Sequence, residues 1–80
     1  MTVNDAVAIR IIKLLQEKGI TQYRLEQNSG IRHGSMQCIV NGRNKTVTLS
    51  TVMLVAKGFG MTLNEFLDDE IFSSDELEIE

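Results

Sequence analysis

Residues 21 to 42, TQYRLEQNSGIRHGSMQCIVNG, read as two short helices joined by a glycine turn, with one apolar face shared between them. Thr21 stands where a hydroxyl accepts a hydrogen bond from a free backbone N–H at a helix start. Leu25 then points inward. Gly30 falls where the chain must leave the first of the two helices, a left-handed position at which a Cβ is unfavourable. Ile31 returns at once to the core. In the second helix Met36, Ile39 and Val40 recur at the three- and four-residue spacing of one stripe, while Gln37, Cys38 and Asn41 fall on another side. Such a helix packs with one face and offers the other to a partner. The pair is a helix-turn-helix.

Outward from this pair the pattern stays helical, and no proline occurs anywhere in the chain. A first helix is expected from about Asn4 to Lys18, with Val7, Ile11, Leu14 and Leu15 inward and Gly19 as its stop. Asn41-Gly42 ends the third helix, and residues 42 to 46 form a polar loop containing Arg43 and Lys45. Thr48 caps a fourth helix whose inward stripe is Val52, Val55, Ala56 and Phe59 and which ends at Gly60. Thr62-Leu63-Asn64-Glu65 matches a capping box, so a fifth helix follows, with Leu63, Phe66 and Leu67 buried. The expected fold is all-α, a compact five-helix domain over residues 1–70 with a short acidic tail over residues 71–80. In the tail Ile71-Phe72 can dock on the body, and ELEIE, residues 76–80, alternates as a lone strand does.

Eighty residues make one domain. A chain of that length buries only about 60 to 65% of its unfolded surface, so its stability margin is small. Aromatic residues are 5% of the total and tryptophan is absent, so the core is aliphatic. The single cysteine excludes an internal disulfide and fits a reducing, cytoplasmic setting. No targeting signal shows at the N-terminus, and apolar clusters such as IRIIKLL fall well short of the roughly 20 residues that span a bilayer. A soluble protein without a membrane role is expected. The net charge of −3 conceals a segregation: residues 1 to 67 carry all eight basic residues and four acids, net +4, whereas residues 68 to 80 carry seven acids and no base. A mildly basic body with an acidic tail points to a nucleic-acid partner for the body and a separate role for the tail.

GITQYRL (19–25), SGI (29–31), IVNGR (39–43) and the Thr-capped LSTVMLVAKGFGMTLNEFL (49–67) together resemble, in order and spacing, the Cro and lambda repressor-like helix-turn-helix domains. These include the small xenobiotic-response-element-type regulators of bacteria and their phages. The resemblance covers about residues 5 to 70. It implies that the third helix enters the DNA major groove, that Gln22, Asn41 and Arg43 contact phosphates, and that the protein works as a homodimer. Elementary electrostatics adds to this: Gln22 lies beside the free N–H groups and positive end of a helix dipole. Arg43 and Lys45 sit in a loop from which long cations reach a phosphate backbone.

Base reading then falls to the exposed start and outer face of the third helix, Arg32, His33, Gly34, Gln37 and Cys38. Arginine pairs bidentately with guanine and glutamine with adenine, which makes Arg32 and Gln37 the leading candidates. His33 adds a donor and Cys38 a small apolar contact. Gly34 costs about 1 kcal/mol in a helix interior relative to alanine, so either a close backbone approach offsets it or the helix starts late. Three positions depart from the family pattern. Glu26 replaces a small residue and is expected to swing toward Arg32 or solvent, and Arg32 puts a cation at the positive end of a helix. Leu15 and Val40 stand where many relatives place an ion pair, an exchange that leaves no buried charge unpaired.

Enzymatic readings find no support. His33 and Cys38 are about 140° apart around a helix, too far to converge as a nucleophilic pair or on a metal. Asp68-Asp69-Glu70 lacks the alternate-residue spacing of a calcium loop. No catalytic site, metal or cofactor is expected. The function expected is sequence-specific binding of double-stranded DNA by a transcriptional regulator, a repressor acting by operator occupancy. The alternative from another class is a protein-interaction module, an adaptor or antitoxin-like partner, with the acidic tail or Ile71-Phe72 engaging a protein.

Overall fold

Four of the five helices begin at a threonine whose hydroxyl accepts a backbone N–H of the first turn. Thr2 takes Asp5 N at 3.1 Å, Thr21 takes Arg24 N at 3.1 Å, Thr48 takes Thr51 N at 3.2 Å and Thr62 takes Glu65 N at 3.2 Å. Each bond supplies a partner that the helix cannot provide for itself. At Thr2 and Thr62 the box is reciprocal, with Asp5 and Glu65 accepting the cap residue's own N–H at 3.1 and 2.9 Å. That bond, with the hydroxyl's, holds the Glu65 carboxyl below its ordinary range.

In this computed structural model, which describes residues 1–43, 46–75, 77 and 78, the helices are α1 (Val3–Lys18), α2 (Gln22–Ser29), α3 (His33–Val40), α4 (Leu49–Gly58) and α5 (Leu63–Leu67). A 3-10 turn follows at Glu70–Ser73. Val7, Ile11 and Leu14 of α1, Leu25 of α2, Met36 and Ile39 of α3, and Val52, Val55 and Ala56 of α4 close one core around Phe59 and Phe66. Burying a side chain of this kind stabilises by about 1.5 to 3 kcal/mol. Leu15 and Val40 pack on its edge, so the apolar exchange at these two positions is used in packing. Leu63 is half-buried, but Leu67 is exposed, contrary to the expectation from sequence. With only five residues, α5 has one position, Phe66, that faces fully inward, and Leu67 lies about 100° round the helix from it.

The helix-turn-helix is seated by a close crossing of α2 on the end of α4. A Cβ at Gly58 would lie 2.9 Å from both Leu25 Cδ1 and Ser29 Cβ. Asn28 Nδ2 donates to the Gly58 carbonyl at 3.3 Å, which ties the same crossing. Across the molecule α1 packs against α3 and against the 3-10 turn.

There Arg10, 7% exposed, donates from Nε to Phe66 O at 2.8 Å and from Nη2 to Glu65 O at 3.1 Å. Phe66 O has no other donor among the described residues, and Glu65 O has besides Arg10 only the Asp68 backbone N–H at 3.3 Å. Its Nη1 meets Asp69 Oδ2 at 3.3 Å, and the guanidinium lies 5.9 Å from the Phe66 ring centroid. Asp69 also accepts from Lys13 Nζ at 2.9 Å and, through Oδ1, from Ile71 N at 2.9 Å. The Lys13 bond first, then that backbone donor, hold the Asp69 carboxyl below its ordinary range. The turn this creates brings Phe72 to 6.1 Å from Phe66 between ring centroids. Beyond it the chain returns to its own beginning: Glu78 N donates to Met1 O at 2.8 Å and Val3 N to Glu78 O at 3.3 Å, a single parallel bridge at Thr2. No helix among the described residues is long and apolar enough to cross a membrane.

Candidate nucleic-acid interface

Gly30, at φ 77°, ends α2 and donates to Glu26 O at 2.9 Å, and Ile31 N then donates to the Ser29 hydroxyl at 3.3 Å. These bonds shape the turn that aims α3. The first residue of α3, His33, follows Arg32 in extended conformation (φ −65°, ψ 150°), and no side chain caps this helix. α3 is therefore the one helix of the five whose leading N–H groups are left without a capping side chain, and they point outward beside a cation. An anion there is favoured by both. The Arg32 side chain is exposed and makes no hydrogen bond or ion pair among the described residues.

The sequence candidates occupy one side of the pair. Met36 and Ile39 are buried, whereas Arg32, His33, Gly34 and Gln37 are exposed and Cys38 is half-buried. Gly34 lies within the first turn of α3, and a Cβ built there would meet nothing within 4 Å. Nothing among the described residues demands a glycine at that position. Gln22 is half-buried at the start of α2, and Asn41 and Arg43 are exposed beyond α3. Their backbone N–H groups fold back on that helix, Asn41 N to Gln37 O at 3.0 Å and Arg43 N to Cys38 O at 2.9 Å. Lys45 lies outside the described residues.

Glu26 turns neither to Arg32 nor to solvent. Its Oε2 accepts from Gln22 Nε2 at 3.0 Å and lies 2.8 Å from His33 Nδ1, with the carboxylate side chain only 10% exposed. The Gly30 turn brings His33, seven residues on, directly over it. The Gln22 bond, and after it the His33 bond, hold the Glu26 carboxyl below its ordinary range, so it is ionised near neutrality. From His33 the contacts run on: Nε2 lies 3.4 Å from Gln37 Nε2, and Gln37 Oε1 accepts from Asn41 Nδ2 at 3.4 Å. Four of the nine candidates, Gln22, His33, Gln37 and Asn41, are thus joined through a residue that sequence reading had treated only as an anomaly.

Charge is also redistributed relative to the linear count. Arg10 and Lys13 are engaged with Asp69, so of the basic residues described, those on the helix-turn-helix and the loop after it are Arg24, Arg32 and Arg43. Arg24, exposed two residues after Gln22, carries no motif of its own and was passed over for that reason. Among the described residues no group of three His, Cys, Asp or Glu side chains gathers as a metal site.

The family profile described as Cro/C1-type helix-turn-helix DNA-binding domain matches residues 10–70 of the chain. Protein P2 of Acyrthosiphon pisum secondary endosymbiont phage 1 is similar to it, with 36% identity over 56 residues, 70% of this chain and 60% of that protein. The chain therefore spans about three fifths of the length of that relative. No solved structure gives a significant match.

Proposed function

The chain belongs to the Cro/C1-type helix-turn-helix DNA-binding domain family, and from that premise we propose that it binds double-stranded DNA sequence-specifically and acts as a transcriptional repressor by occupying an operator. The observation that carries this reading is the two-sidedness of α3, which buries Met36 and Ile39 and leaves Arg32, His33 and Gln37 exposed. A helix of this kind fits a major groove about 12 Å wide, with Arg32 and Gln37 on base edges and Gly34 and Cys38 beside them. Gln22, Asn41, Arg43 and Lys45 anchor the phosphates on either side, and Arg24 joins them. The protein works in the cytoplasm as a homodimer, because one domain of this size makes few contacts and a doubled half-site supplies the missing affinity.

Selection from a randomised duplex pool, with solution mass measured alongside, tests the proposal. A defined half-site sequence, and a log affinity that falls by about 0.9 per neutralised phosphate against log salt, are expected. Gln22→Ala and Arg43→Ala should weaken all sequences alike, and Arg43→Ala, which removes a charge, should also flatten that slope. An affinity insensitive to salt would move the assignment to a protein-interaction module. One observation favours that second reading: α4 leaves Leu49, Met53 and Leu54 exposed, the last two beside a groove of about 530 Å3 with Met61 and Leu63.

A further inference from the structure

We propose that Glu26 is a specificity-setting positioning residue: acting through His33, it dictates which end of the Gln37 amide is donor and which acceptor at the surface of α3. The inference rests on the DNA-binding reading above and adds a device particular to this chain.

The argument follows from proton bookkeeping along four side chains. Glu26 is an ionised carboxylate and can only accept, so His33 Nδ1, 2.8 Å away, must carry a proton and donate it. In the neutral ring this leaves His33 Nε2 as an acceptor. The Gln37 Nε2 that faces it at 3.4 Å then donates, which turns Gln37 Oε1 toward Asn41, whose Nδ2 donates to it at 3.4 Å. Gln22 Nε2 feeds the same carboxylate from the other side at 3.0 Å. Every donor in the series points toward Glu26, and no step requires two donors or two acceptors to meet.

The consequence lies in what Gln37 has left to offer. One N–H and one lone pair of its amide remain free, in a fixed order along α3. Adenine presents an acceptor, N7, and a donor, the N6 amino group, also in a fixed order along the major groove. One amide orientation matches that edge, and the flipped one sets donor against donor. Protonating His33 would make Nε2 a donor as well and require the amide to flip. Glu26 is the ionisable group that faces the ring from α2, and Arg32 precedes it on its own chain segment. From α1, the other helix packed on α3, no ionisable side chain bonds to the ring among the described residues. The device therefore has two settings, chosen by the protonation of His33. Removing Glu26 releases both.

Two measurements on the full chain decide it. Nitrogen-15 NMR of the imidazole in DNA-free protein should show the Nδ1–H form of His33 at pH above its titration, and a mixed or Nε2–H ring in Glu26→Gln and Glu26→Ala. Pool selection on both sides of the titration measured for His33 should show a wild-type base preference at one position that changes with pH. In Glu26→Gln, Glu26→Ala and His33→Ala that position should lose several-fold of its discrimination and its pH dependence, with neighbouring positions unchanged. An Nε2–H ring in the wild-type chain, or a Gln37-dependent preference identical in both Glu26 variants, overturns the inference and leaves the DNA reading standing. A wild-type chain with no sequence preference at all overturns both.

Discussion

Arg10 and Arg32 are two arginines of one small domain, the first buried and the second exposed. Arg10 is nearly sealed, with its donors shared among Phe66 O, Glu65 O and Asp69. Arg32 is open, has no partner among the described residues, and sits at the end of a helix where a cation is disfavoured. A guanidinium whose hydrogen bonds are satisfied inside the fold holds structure together. One kept unsatisfied beside free N–H groups is open to an anion. The same contrast divides two helical glycines: Gly58 lies against Leu25 and Ser29 with no room for a Cβ, and Gly34 faces open space.

Substitution should separate the two sides. Arg10→Ala leaves Phe66 O without its donor and takes one donor each from Glu65 O and Asp69, and should lower stability in urea unfolding by about 2 to 3 kcal/mol, with DNA affinity unchanged in the folded fraction. A loss under about 1 kcal/mol would show that water replaces the guanidinium and erase the distinction. Gly58→Ala forces a methyl into the α2–α4 crossing and should cost about 1 to 3 kcal/mol, since the 2.9 Å neighbours include the Ser29 Cβ, which is tied closely to backbone.

On the other side, Arg32→Ala should leave the unfolding midpoint within experimental scatter and cost about 1 to 3 kcal/mol on the best DNA site. Its preferred sequence should relax at one position. Gly34→Ala sharpens the contrast with Gly58→Ala, because the sign on stability should reverse. The chain should gain up to about 1 kcal/mol from helix propensity and, on the proposed function, bind DNA less tightly, because the added methyl projects from the exposed first turn of α3. Gains in both stability and affinity would show that nothing approaches the backbone there.

The smallest effect concerns acid. Asp69, Glu26 and Glu65 all titrate below their ordinary range when folded, so the unfolded chain takes up protons first as pH falls. Their contribution is fully present above the ordinary carboxylate range of about 4 and is lost as pH drops through the lowered values. Lys13, raised by the same Asp69 bond, contributes below the ordinary lysine value and loses this only as pH rises through its own raised one. Asp69→Asn should therefore make the acid limb of a stability profile shallower, while Arg32→Ala leaves it as it is.

Local features were legible in the chain before any coordinates. The caps at Thr21, Thr48 and Thr62, the stops at Gly19 and Gly30 and the stripes Val7-Ile11-Leu14 and Val52-Val55-Ala56 depend on residues within a few positions of one another. Helix geometry alone relates them. Even the box at Thr2 and Asp5, which an expected helix start at Asn4 in place of Val3 hides, is written in four consecutive residues. The two-sided pattern of α3 was legible for the same reason.

What tertiary structure decided are the contacts between residues distant in sequence or separated by a turn. Arg10 and Asp69 are 59 positions apart, and nothing in either neighbourhood announces a buried cation or tells the bonded Asp69 from Glu78, whose backbone returns to the N-terminus. Leu67 lies outside because α5 has only five residues, of which Phe66 alone is buried. Glu26 stood out in the sequence as a residue of the wrong size, but its role depends on the angle of the Gly30 turn, which places His33 over the carboxylate. Periodicity assigns a side chain to a face of its own helix. Which group it meets there is settled by how the helices cross.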